Sequence, residues 1–195
     1  MRLKKIKEEY GDKVDIQYRV FMLRPEPDPT AVFNDYRRNH WTNANSQPDS
    51  GDFTLWESEE EFPNCSMPSA EAGLAARFQG PEEWERFHGN LLAAFFTENR
   101  NISDPEVVSD VAEESGLDMD RYRDALESGG LREKAVKEYM EATNLGITGI
   151  PSVVVNDKAV MVGAVPAEQY RYVIDSILET GDLPGRPPGE LPVAE

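Results

Sequence analysis

The sequence predicts an α/β fold whose sheet is interrupted by a long helical insertion, on three observations. Residues 14–23, VDIQYRVFML, alternate apolar and polar side chains in the two-residue period of a strand. From Ser66 to Thr143 apolar residues recur at helical spacing instead. The chain then passes through Gly149-Ile150-Pro151 into SVVV and AVMV, two β-rich runs about the turn Asn156-Asp157-Lys158.

Each element has a local reason. Arg2 to Tyr10 reads as the end of a helix, with Leu3 and Ile6 inward, Tyr10 one turn on and Gly11 as the stop. In the strand that follows, Val14, Ile16, Tyr18, Val20 and Met22 share one face, and the added Phe21 and Leu23 predict burial of its end on both sides. The prolines of RPEPDPT end it, because they cannot donate to a ladder. The stretch onward to Asn64 lacks a sustained period and is read as an irregular surface connection pinned by Trp41, Phe53, Trp56 and Phe62.

Five helices are predicted in the block that follows. MPSAEAGLAARFQG has an early proline and a terminal glycine, and PEEWERFHGNLLAAFFTENR repeats Trp84, Phe87, Leu91, Leu92, Phe95 and Phe96 on one face. ISDPEVVSDVAEESG offers Ser103 and Glu106 as a capping box, and MDRYRDALESGG and LREKAVKEYMEATNLG complete the set. After the hairpin, Pro166 opens a last amphipathic helix through Tyr170, Val173, Ile174, Ile177 and Leu178. A Pro/Gly-rich tail, 183–195, follows it.

Bulk properties exclude several functions. The 195 residues suffice for one domain or one domain with an insertion. A net charge of −17 argues against general nucleic-acid binding, which needs clustered Lys and Arg. No apolar run approaches the roughly eighteen residues of a membrane span, and the N-terminal residues lack a signal peptide's apolar core. A cytoplasmic location and no membrane partner are therefore expected. Cys65 is the sole cysteine, so this chain has no internal disulfide and no CxxC pair, and with two histidines no metal site is expected.

The isolated polar residues carry less. Cys65 reads as a small packed residue at a helix entry, since free cysteines behave as buried hydrophobes. His40 and His88 have no acid at dyad spacing. Glu57–Glu61 lacks the alternation and glycine of a calcium loop and reads as a solvated run. Arg37 and Arg38 could hold an anion, although two arginines in an acidic chain are slender grounds.

The segment GITGIPSVVVNDKAVMVGAVP resembles the cis-proline segment and closing hairpin of DsbA-like proteins of the thioredoxin superfamily, in their FrnE-like branch. FFTENRNISDPEVVSDVAEESGLD resembles that branch's helical insertion, and KVDIQYRVFMLRPEP its strand and loop after the first helix. The resemblance implies a thioredoxin-like core, 1–63 and 144–182, a helical insertion, 64–143, that forms a lid, and a first strand absent from this chain. It implies a thiol–disulfide oxidoreductase acting on a disulfide-containing protein or small thiol, without a cofactor and with a homo-oligomer as one possible state. Gly149, Ile150 and Pro151 become the implied substrate-binding residues, and no catalytic residue is carried over. The family's CxxC belongs about ten residues before the position of Leu3, by helix rise. Either the start at Met1 is late or the redox role is lost. Two further readings stand beside it. One is a kappa-type glutathione transferase or 2-hydroxychromene-2-carboxylate isomerase relative using glutathione; the other is a non-catalytic peptide-binding or chaperone-like module.

Overall fold

The structure, a computed structural model, describes residues 2–47 and 51–184. In chain order its helices and strands are α1 (Arg2–Tyr10), α2 (Asp35–Asn45), α3 (Met67–Gln79), α4 (Pro81–Phe96), α5 (Pro105–Glu114), α6 (Met119–Glu127), α7 (Gly130–Asn144), β1 (Ser152–Val155), β2 (Ala159–Val162) and α8 (Ala167–Thr180). The described residues are mostly helical, beside a two-stranded sheet. The chain divides into two compact units, Met1–Gln17 with Ile147–Glu195, and Tyr18–Gly146. The boundaries drawn from the sequence at 63/64 and 143/144 therefore fall at 17/18 and 146/147. The cause is packing: Met22 is 2% exposed and belongs to the same core as the helical block. The tail expected over 183–195 lies, from Gly185 on, outside the described residues.

The first unit is built on β1 and β2, which pair antiparallel with Ser152 opposite Val162 and Val155 opposite Ala159. Asn156 and Asp157 both take positive φ (48° and 55°), which Asn and Asp tolerate better than other non-glycine residues. Helices α1 and α8 are clamped together. Tyr10 donates its hydroxyl to Asp175 at 2.8 Å, and Arg171 donates from Nε to Glu9 at 2.9 Å. Arg2 donates to the carbonyl of Ala164 at 2.6 Å, and Lys158 ties the hairpin turn to the carbonyl of Gly181 at 3.0 Å. Ile6, Ile147 and Tyr170 are its buried apolar side chains among the described residues.

The second unit holds the main core. Phe87, Leu74, Val108, Val111 and Ala135 from α3, α4, α5 and α7 are at most 1% exposed. Each buried aliphatic or aromatic side chain of this kind contributes about 1.5–3 kcal/mol relative to exposure. A second cluster gathers Trp41, Trp56 and Phe62 against Phe33, Phe53, Phe95 and Phe96. The aromatic residues expected to pin the irregular connection thus do so, but part of that connection is the helix α2. Asn34 caps it, its side chain accepting from the Arg37 amide.

Two local expectations are corrected. Residues 14–23 keep the alternation only as far as Gln17; Tyr18 and Leu23 are exposed against expectation, and no described residue pairs with residues 14–23 in a ladder. What holds this segment is a side chain: the buried carboxylate of Glu138 accepts from the Val20 amide at 2.8 Å and from Arg77 at 3.0 and 3.1 Å. The capping box at Ser103 is also displaced. Asp104 caps α5 by accepting from the Glu106 amide at 2.8 Å, with Pro105 in its first turn. Ser103 is used elsewhere, accepting from the Cys65 amide at 2.9 Å and donating to the Cys65 carbonyl at 2.8 Å.

Candidate functional site

The loop before β1 carries the three residues expected to bind substrate, Gly149, Ile150 and Pro151. Ile147 is buried and anchors it, Thr148 is exposed, Gly149 is half-buried, and the Ile150–Pro151 peptide bond is cis. Two hydrogen bonds fix the loop on either side of Ile150. Ser152 donates its hydroxyl to the Gly149 carbonyl at 2.7 Å, and the Gly163 amide donates to the Pro151 carbonyl at 2.8 Å. Gly163 sits at φ +86°, a conformation that glycine enters far more readily than other residues. Ile150 itself is 55% exposed, and among the described residues its amide and carbonyl take no backbone partner.

The sheet continues this surface. β1 has one described partner, β2, so its other edge carries unpaired backbone groups. On β2, Val160 and Val162 are exposed, and a shallow cavity of about 350 Å³ opens between β2 and α8 beside Val165, Tyr172 and Val173. The three residues predicted for substrate binding are thus contiguous and held in place. The serine and glycine that hold them were missed, because both contacts depend on the hairpin bringing Gly163 back to Pro151.

The other candidates belong to the second unit. Cys65 is half-buried with its backbone bonded to Ser103. His88 stacks on Trp84 at 4.7 Å between ring centroids, and burial pushes its pKa below the ordinary histidine value. His40 lies against Tyr36 at 4.3 Å, on α2. Among the described residues no group of His, Cys, Asp and Glu side chains is arranged to hold a metal, and no helix is long and apolar enough to cross a membrane.

The protein YwbO of Bacillus subtilis is 29% identical over 172 residues, covering 84% of this chain and 82% of its own. A putative protein disulfide isomerase from Nitrosomonas europaea superposes with a TM-score of 0.73 at 16% identity, over 93% of this chain and 90% of that one. The cytosolic disulfide reductase DsbM from Pseudomonas aeruginosa, solved with GSH, gives a TM-score of 0.65 at 18% identity, over 92% and 90%. The two solved structures share the fold. The model of the DSBA-like thioredoxin domain family matches residues 1–175, so the chain belongs to that family.

Proposed function

We propose that the chain binds a disulfide-containing protein segment, or a small thiol such as glutathione, along Gly149, Ile150 and Pro151, and aligns it for thiol–disulfide exchange. One observation carries this reading: an exposed apolar side chain with unpaired backbone groups, Ile150, is presented on a loop fixed on both sides. An extended peptide can pair with such backbone groups and continue along an open strand edge. Family membership supports the reaction class, and the GSH-bound cytosolic reductase supports both the small thiol and a cytoplasmic setting.

In the exchange, a thiolate attacks one sulfur of a disulfide, forms a mixed disulfide and releases the other sulfur as thiolate. In this reading the loop positions the substrate for that exchange. The same GSH-bound neighbour favours a second reading, glutathione held as the co-substrate of a kappa-type transferase.

Calorimetric titration of the chain with glutathione and with an extended disulfide-bearing peptide tests the site. Saturable binding of at least one is expected, weakened about tenfold by Ile150→Asp, because a buried charge replaces apolar contact. Binding that is unchanged in Ile150→Asp would remove the loop from the proposal. Conjugation of glutathione to an electrophile, with no reduction of the peptide, would favour the transferase reading.

A further inference from the structure

Arg37 and Arg38 play no part in the Gly149–Pro151 loop, and the fold gives them a neighbour that the sequence conceals. Arg24 and Arg37 both place their guanidinium carbon over the ring of Phe62, at 5.8 and 5.1 Å from its centroid. Phe62 is 8% exposed and lies 5.8 Å from Phe33, whose ring Arg38 covers at 5.6 Å. Three guanidiniums thus lie against two neighbouring aromatic rings within the second unit, in a chain of net charge −17.

The opposing negative charge is incomplete. Asp28 places Oδ2 3.8 Å from Arg24 Nε, while its Oδ1 accepts from the amide and hydroxyl of Thr30 at 2.9 and 2.6 Å. Arg37 donates one N–H to the Val32 carbonyl and feels the charge of Asp28, which it shares with Arg24. Burial, and then repulsion from Arg24, lower the Arg37 pKa, with Asp28 opposing them.

Both arginines are held. The Arg24 amide donates to Ser66 Oγ at 3.1 Å and its carbonyl accepts from the Ser66 amide at 2.8 Å. Arg37 sits in the first turn of α2, its amide donating to Asn34 Oδ1 at 3.1 Å, where the helix end adds positive potential. Guanidiniums fixed by stacking keep a planar fork of donors that matches the paired oxygens of a carboxylate or phosphate.

We propose that Arg24 and Arg37 form a binding site for a small oxyanion, a carboxylate or phosphate group, with Arg38 at its rim. The site lies outside the Gly149–Pro151 loop and does not depend on the reading of that loop. The chain's overall charge repels anions, so binding is expected to be weak and sensitive to salt.

The test is titration of the full chain with inorganic phosphate, and separately with acetate, at ionic strength held constant with chloride. Tryptophan emission reports it, since Trp41 lies 5.0 Å from Phe33. A saturable change with either anion is expected, weakened about tenfold by Arg37→Gln as a bidentate partner is lost. Arg132→Gln, which removes an exposed partner of Glu71, is expected to leave it intact. Saturation by phosphate alone or by acetate alone supports the site and assigns the chemistry of its ligand. Arg24→Lys keeps the charge and loses the fork, and should weaken binding without unfolding the chain. A response no greater than that to chloride, or one unaltered in both Arg37→Gln and Arg24→Lys, overturns the site.

Discussion

The two units of this chain solve the same problem, pairing backbone groups while burying apolar surface, with different degrees of completion. In Tyr18–Gly146 the helices satisfy their own backbone and bury a dense core around Phe87, Leu74, Val108 and Val111. In the unit of Met1–Gln17 and Ile147–Glu195 a two-stranded sheet keeps an open edge, and Ile150, Val160 and Val162 remain exposed. A helix closes its hydrogen bonds within itself, whereas a strand needs a neighbour on each side. The comparison teaches how each is held: packing dominates the helical unit, and an open strand edge marks the other.

Truncating each core breaks this comparison most severely. Phe87→Ala is expected to cost about 3–5 kcal/mol and Ile6→Ala about 2–5 kcal/mol. Because Ile6 has few buried companions, its loss should remove protection of the first unit's amides before those of the second in hydrogen exchange. Equal, simultaneous loss in both variants would mean that the units unfold as one.

Next in size is Glu138→Ala. It removes the carboxylate that receives both Arg77 and the Val20 amide and leaves a partly buried guanidinium unpaired. A loss of about 3 kcal/mol is expected in urea denaturation, at the lower end for breaking a buried pair. A change under about 0.5 kcal/mol would show that solvent replaces the carboxylate without penalty.

Alkaline pH separates the units more finely. Burial, then Glu71, raises Tyr122 from 10.0 to about 12; burial, then the hydrogen bond to Asp175, raises Tyr10 likewise to about 12. A phenol whose pKa is raised by folding stays neutral longer in the folded state. Its stabilisation is complete below pH 10 and is lost as pH rises through about 12. Tyr122→Phe should flatten that fall for the second unit and leave the first unchanged, as read by thermal melts across this range. The smallest effect belongs to Ile150→Asp, expected to shift either unit's stability by less than about 0.5 kcal/mol while weakening ligand binding.

Much of the fold was legible because its signals are local. The five helices of the insertion carry strong apolar periods, and the hairpin carries Asn156-Asp157 at its turn. Helix α2 escaped because Trp41 is its one buried residue, although Asn34-Asp35 is a start signal visible in the sequence. Ser103 misled as a cap because Asp104 and Pro105 satisfy the same rule one residue later. Gly149, Ile150 and Pro151 could be picked out from their setting before β1, but not the two bonds that hold them.

The sequence by itself determined every helix but α2, where the hairpin turns, that one cysteine is present and that the chain is strongly acidic. These follow from residue identity and from spacings of two to four residues. Only the tertiary structure decided that Met22 joins the helical core, that Glu138 stands where a strand partner is missing, and that Arg24 meets Arg37 over Phe62. Each of those contacts joins residues distant in the chain. What selects them is the collective burial of apolar surface and the pairing of every buried polar group, which no short window of sequence contains.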